Sequence, residues 1–164
     1  SFIRRYAEVE LKRRFKTVVT SSAGYPLDKT YYQTVKGMVG PLDILAPGGD
    51  LIIVSACSEG MGSRHYVEAQ RRLVELGPDG FWDSIAAKPH ADIDEWQTQM
   101  QLKPMRVGRV RLFTDGLDQA TFGLAGVERV DDVGIAMAES MARHGDPAVA
   151  FVPEGPYVVP RHVA

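Results

Sequence analysis

Short β-branched and aliphatic runs alternate with longer amphipathic stretches along most of this chain. Thr17-Val18-Val19 predicts a buried strand over residues 16–22. Leu51-Ile52-Ile53-Val54 is a continuous apolar run of the kind found in central parallel strands. Shorter strands are predicted at 107–114, 127–130 and 148–152, and the alternation at 7–11 is also strand-like after a helix end at 2–6. Helical patterns occupy 27–45, 63–76, 81–87, 93–102, 117–124 and 133–144. Pro41 should kink or break the first near Gly40. Ser63 suits the N-cap of the second, and Gly77-Pro78-Asp79-Gly80 should end it. Asp92 or Asp94 opens the fourth, and Pro104 with Gly108 should close it. In the last, Asp131 is the expected cap and Ile135, Ala138, Met141 and Ala142 the buried stripe. Residues 153–164 read as a proline-containing tail. Strands alternating with helices predict an α/β domain: a mostly parallel sheet with helices on both faces, a Rossmann-like three-layer arrangement.

Thr20 to Lys36 stands out within this pattern. Small residues Ser21 to Gly24 allow a sharp bend after the first strand. Pro26 suits a first helical turn, and Asp28 suits the positive end of a helix dipole. Lys29, Tyr32, Gln33 and Lys36 then fall on one helix face. A phenol, an amide and an ammonium beside a strand-to-helix turn form a surface able to grip a small oxygen-rich anion. Ligands of open α/β sheets bind outside the carboxyl ends of the strands. Those ends here are 21–25, 55–62, 114–116 and 153–155.

Composition narrows the functional classes. At 164 residues, with 45% hydrophobic and 24% charged content, the chain suits one globular domain. A net charge of −2 gives no general attraction to nucleic acid or membrane. The local basic cluster Lys12, Arg13, Arg14 and Lys16 reads as a solvated connector before it reads as an RNA contact. The single cysteine, Cys57, excludes an internal disulfide and fits a reducing cytoplasm. No apolar run reaches membrane-spanning length. The chain begins SFIRRYAEVE, without an initiator methionine, like a sequence entering a new domain.

Other chemistry is weakly supported. Gly60-Met61-Gly62 between a strand and a helix invites a nucleotide reading, but the third glycine of the dinucleotide fingerprint falls at His65. His65, His90, His144 and His162 form no close metal-binding pair. His144 suits a helix C-terminus, and Cys57 reads as a small buried residue. The G-x-S-x-G elbow of a serine hydrolase is missing around Ser21 and Ser22.

Ser22 to Asp28 (SAGYPLD) followed by Tyr32 to Gly37 (YQTVKG) resembles the opening of the C-terminal domain of the nickel-dependent lactate racemase family. The resemblance continues through a Gly-Gly strand (48–55), a Ser58-x-Gly60-x-Gly62 loop and a helix carrying Trp96-Gln97, and spans most of the chain. It implies a connector over 1–15 from a missing N-terminal domain and one α/β domain over 16–164. It implies that Tyr32, Gln33, Lys36 and Trp96 hold a small 2-hydroxy-acid substrate, with Gly24, Tyr25, Ser58, Gly60 and Gly62 in the cleft loops. Lys36 would balance the carboxylate and Gln33 would bond a substrate oxygen. In the family a histidine takes the hydroxyl proton while the C2 hydride passes to a nickel-pincer nucleotide, and hydride return to the other face inverts the centre. The nickel ligand, the cofactor lysine and the catalytic histidines belong to the N-terminal domain, so no catalytic or metal residue is expected here. Ser22-Ala23-Gly24 departs from the two glycines of many relatives. The alternatives are a non-catalytic α/β module binding a small anion or a partner domain, and a stand-alone nucleotide-binding enzyme.

Overall fold

A computed structural model describes residues 2–163, with side chains described from Arg5 onward. The chain runs α1 (Phe2–Ala7), β1 (Glu8–Leu11), β2 (Phe15–Ser21), α2 (Tyr31–Val39), a 3-10 turn at Gly40–Ile44, and β3 (Leu45–Val54). It continues through α3 (Arg64–Ala86), α4 (Glu95–Val107), β4 (Arg109–Phe113), α5 (Gln119–Phe122) and a 3-10 turn at Gly123–Ala125. β5 (Glu128–Arg129), α6 (Val133–His144), β6 (Val149–Val152) and β7 (Val159–His162) complete it.

Five strands form one sheet in the order β5-β4-β3-β2-β6, every neighbouring pair parallel. Val18 of β2 sits between Leu51 of β3 and Ala150 of β6. Because side chains alternate across a strand, the apolar runs supply both faces. Val18, Leu51, Ile53, Val110 and Leu112 pack with Tyr31, Val35 and Met38 of α2. Val19 and Ile52 face Val133, Ala136 and Met137 of α6. This is the parallel, helix-covered sheet that the alternation of elements predicts.

Several element boundaries differ from expectation for identifiable reasons. α2 starts at Tyr31, because the Thr30 side chain caps Gln33 N at 3.4 Å. Pro26, Asp28 and Lys29 lie before the helix, where Leu27 N and Asp28 N both donate to Gly24 O. The break at Gly40 is present, and the chain tightens there into a 3-10 turn over Pro41. The helices expected at 63–76 and 81–87 are two arms of α3, bent at Gly77 with φ 72°. α4 continues through Pro104 to Val107, its last turn fixed by buried Leu102 and Pro104.

α6 has the expected bounds but a different cap and phase. Asp132, rather than Asp131, accepts from Ile135 N at 2.8 Å. Its buried face is Ala136 and Ser140, while Ile135 is 62% exposed. The opposing sheet face carries polar Thr17 and Arg111. Thr17 Oγ1 meets Ser140 Oγ at 2.7 Å, and Arg111 reaches Ala136 O at 3.0 Å and Glu139 at 2.7 Å. A small, polar helix face satisfies those groups where an isoleucine stripe would strand them.

The proline-containing tail holds a strand. β7 pairs in parallel with β1, Glu8 opposite Val159 through Leu11 opposite His162. Within the basic cluster, Arg13 pairs with Asp146 at 2.5 Å and Arg14 with Asp43 at 3.4 Å, and Lys16 donates to Pro47 O at 2.8 Å. These side chains brace the fold.

Candidate functional site

Two loops at the carboxyl ends of β2 and β3 meet beside α2. Cys57 N donates to Asp28 O and Glu59 N to Lys29 O, both at 2.7 Å, and the Lys29 ammonium pairs with Glu59 at 2.5 Å. Tyr31 N and Tyr32 N donate to Gly60 O and Met61 O at 2.9 and 3.0 Å. The glycine loop therefore turns its carbonyls onto the start of α2 and occupies amides that a phosphate would need. The start of α3 already carries an acid: Ser63 caps Tyr66 N at 3.1 Å and donates its hydroxyl to Asp94 at 2.5 Å. Neither helix start presents a free phosphate cradle, which counts against the nucleotide reading.

The cleft residues have distinct places. Gly24 (φ 73°) and the exposed Tyr25 form the bend after β2, preceded by Ala23 at φ 63°. Ala23 thus holds a left-handed conformation that glycine adopts at lower cost, a physical reason for two glycines at this turn. Ser58 is exposed on the opposing loop. Gly62 (φ 118°) lies against Tyr32, where an added Cβ would come within 3.0 Å of the tyrosine Cβ.

Tyr32, Gln33 and Lys36 project from α2, and Trp96 comes from α4. The Tyr32 ring meets Trp96 edge-on at 6.0 Å and Tyr66 at 5.1 Å. Its backbone carbonyl accepts from the buried Gln97 amide at 2.7 Å. Lys36 is exposed, with its ammonium 5.9 Å from the Tyr32 ring centre. No carboxylate among the described residues pairs with it. Gln33 is half-buried, and its Oε1 is buried with no donor. Lys36 and Trp96 share a cavity of about 170 Å³ with Val35, Val39, Gln97 and Met100. Burial raises the Tyr32 phenol above its ordinary pKa, and the charge and hydrogen-bonding pull of Asp94 raise it further. Lys29 lies outside this group, in its own pair with Glu59.

The remaining chemistry-bearing residues serve the scaffold. Cys57 is buried at φ 49°, its sulfur 3.4 Å from Thr34 Oγ1, and Thr34 also meets Ser55 Oγ at 2.7 Å. His144 contacts the buried Asp50 carboxylate at 3.2 Å. His65 is exposed beside a groove with Glu68, Arg72 and Asp92. Among the described residues no three His, Cys, Asp or Glu side chains group as metal ligands. Sequence reading passed over Asp94 and Ser63 as site residues, since both looked like ordinary helix-start residues. The one local signal was the closeness of Asp94 to Trp96-Gln97.

Comparison with known proteins matches residues 11–159 to the family described as the lactate racemase C-terminal domain. This chain belongs to the lactate racemase family. Tyr32, Gln33, Lys36 and Trp96 all fall inside the matched span. The lactate racemase of Thermoanaerobacterium thermosaccharolyticum is 27% identical over 148 residues, covering 88% of this chain and 34% of that protein. The lactate racemase of Lactiplantibacillus plantarum is 27% identical over 141 residues, covering 84% and 32%. The solved lactate racemase apoprotein from T. thermosaccharolyticum superposes with a TM-score of 0.85 at 26% identity, over 98% of this chain and 38% of that one. The chain thus spans about a third of the length of the curated lactate racemases it matches. No helix among the described residues is long and apolar enough to cross a membrane.

Proposed function

We propose that this chain is the substrate-side domain of a nickel-pincer-nucleotide-dependent racemase or epimerase acting on a lactate-like 2-hydroxy acid. The observation that carries this reading is a pair of unmet groups on one helix face: the Lys36 ammonium without an acidic partner and the buried Gln33 Oε1 without a donor. A buried acceptor left unsatisfied costs about 1–3 kcal/mol, which a ligand hydroxyl offsets. A 2-hydroxy acid brings a carboxylate and a hydroxyl donor on adjacent carbons, matching the two.

In this reading Lys36 holds the carboxylate and Gln33 Oε1 accepts from the hydroxyl, fixing how C2 is presented. Tyr32 and Trp96 wall the pocket and exclude water. The residues of this chain do not form a nickel-binding set among those described. On the family resemblance, the cofactor and the acid–base histidines are assigned to an N-terminal partner domain, where the bound cofactor would supply the hydride acceptor and donor. Alone, this chain is expected to turn over no substrate.

The test is racemisation of D- and L-2-hydroxy acids by the full-length protein loaded with cofactor. Lys36→Ala should lower kcat/KM about 100-fold, the loss expected for one charge-assisted contact. Equal activity of variant and wild type would overturn the role of Lys36, and turnover by this chain alone would overturn the two-domain reading.

A further inference from the structure

Lys36 has two flanks on α2. At about 100° per residue, it stands between Gln33 on one side and Val39 and Val35 on the other. The valine flank meets α4, where Trp96, Gln97 and Met100 lie on neighbouring positions of one face. Between the two helices runs the cavity of about 170 Å³ that Lys36 also lines. Val35 and Gln97 are buried, while Lys36 and Trp96 are exposed, so the groove opens beside the ammonium. Its walls are two valines, an indole, a methionine and the alkyl stem of Lys36. The one amide on the wall, Gln97, commits its N–H to the Tyr32 carbonyl at 2.7 Å. Among the described residues no carboxylate, guanidinium or hydroxyl side chain lines the groove.

We propose that this groove receives the carbon substituent at C2 of the substrate, and that the substrate is a 2-hydroxy acid carrying a branched alkyl or benzyl group there instead of a methyl. This rests on the reading of Lys36 as the carboxylate partner and Gln33 as the hydroxyl partner. With those two groups engaged, the flank left for the carbon substituent is the one walled by Val39 and Trp96. A methyl fills a small part of that space, whereas an apolar cavity of about 150 Å³ holds a benzene ring. Met100 is unbranched and the Trp96 indole is flat, so the walls suit either a branched or a planar group. A second carboxylate or a hydroxylated chain would lose its water in the groove and find no partner beyond the ammonium already holding the first carboxylate. Dicarboxylic and sugar-derived hydroxy acids are disfavoured for that reason.

Binding and turnover by the full-length protein test this. Calorimetric titration should give a dissociation constant for 2-hydroxy-4-methylpentanoate at least about tenfold below that for lactate, with a more negative heat-capacity change. Loaded with cofactor, the protein should racemise 2-hydroxy-4-methylpentanoate with kcat/KM at least about tenfold above that for lactate. Malate, with a carboxylate in place of the alkyl group, should be used less well than lactate. Val39→Phe fills the groove and should lower the ratio of the two kcat/KM values about tenfold. That ratio does not depend on how much of the protein is folded, and the wild-type comparison decides the matter if Val39→Phe does not fold. Equal dissociation constants for the two acids overturn the proposal. So does a ratio that folded Val39→Phe leaves unchanged. Absence of turnover of every 2-hydroxy acid sinks the racemase reading alone, because the binding comparison decides the groove without turnover.

Discussion

The Gln97 side-chain amide donates to the Tyr32 carbonyl at 2.7 Å, joining α4 to the first turn of α2 across the candidate site. Gln97 is buried, so this bond is sheltered from water and fixes the height of Tyr32 relative to Trp96. Gln97→Ala should lower unfolding stability by about 1–2 kcal/mol, measured by urea titration. Under the proposed racemase function it should also raise KM in the full-length protein, since the wall loses its spacing. A variant as stable as wild type would show that the bond adds nothing.

Gly62 has no room for a side chain. Its φ of 118° disfavours any other residue, and a Cβ would press to 3.0 Å on the Tyr32 Cβ. Gly62→Ala should cost about 1–3 kcal/mol in thermal or chemical unfolding. It should also change the near-ultraviolet circular dichroism of the Tyr32, Tyr66 and Trp96 cluster. Gly60→Ala is the comparison: its φ of 76° brings backbone strain, but nothing lies within 4 Å of its Cβ. The aromatic signal should move only for Gly62.

Ala23 points the opposite way. It holds φ 63° with a side chain that disfavours that region. Ala23→Gly should stabilise the protein by up to about 1 kcal/mol, the relief of left-handed strain less the extra entropy of an unfolded glycine. A melting temperature that falls on this change would show that Ala23 packing outweighs the strain.

Glu95 sets part of the acid limit of the fold. It is almost fully buried, and burial alone would raise its pKa. Contacts with Lys88, Asp92 N and Arg72 outweigh that and hold it below the ordinary 4.5. The folded value is thus lower than the unfolded one, so the unfolded chain binds the proton first as pH falls. The stabilisation is complete above about pH 5 and is lost as pH drops through 4.5 toward the folded value. Glu95→Gln should cost about 2 kcal/mol near neutrality and flatten this part of the stability curve, read by urea unfolding from about pH 6 to pH 3. Asp43, whose carboxyl is lowered chiefly by His162 N, should leave a residual slope.

Residues differ in how openly the sequence declares them. The run Leu51 to Val54 reads as the central strand because burial on both faces permits no polar alternation. Tyr32, Gln33 and Lys36 announce a shared face through helical spacing alone, even with the helix start misplaced by four residues, 27 against Tyr31. Asp94 does not, because its carboxylate is held by Ser63, which arrives from another element. The orphaned Gln33 oxygen is visible only when every neighbouring donor is known. The phase of α6 was hidden for a related reason: Ser140 faces inward because Thr17 waits across the interface. β7 escaped notice because its partner, β1, lies at the far end of the chain and Pro160 sits within it.

That pairing of β1 with β7 has a mechanical meaning. The two strands lie side by side and point the same way. Tension drawn between the leading end of β1 and the trailing end of β7 loads their hydrogen bonds together, in shear, instead of peeling them apart one by one. The ribbon acts as a latch across the two ends of the domain. Tension applied across the two ends must slide this latch before it can pull on β2 and β3, whose loops carry the cleft.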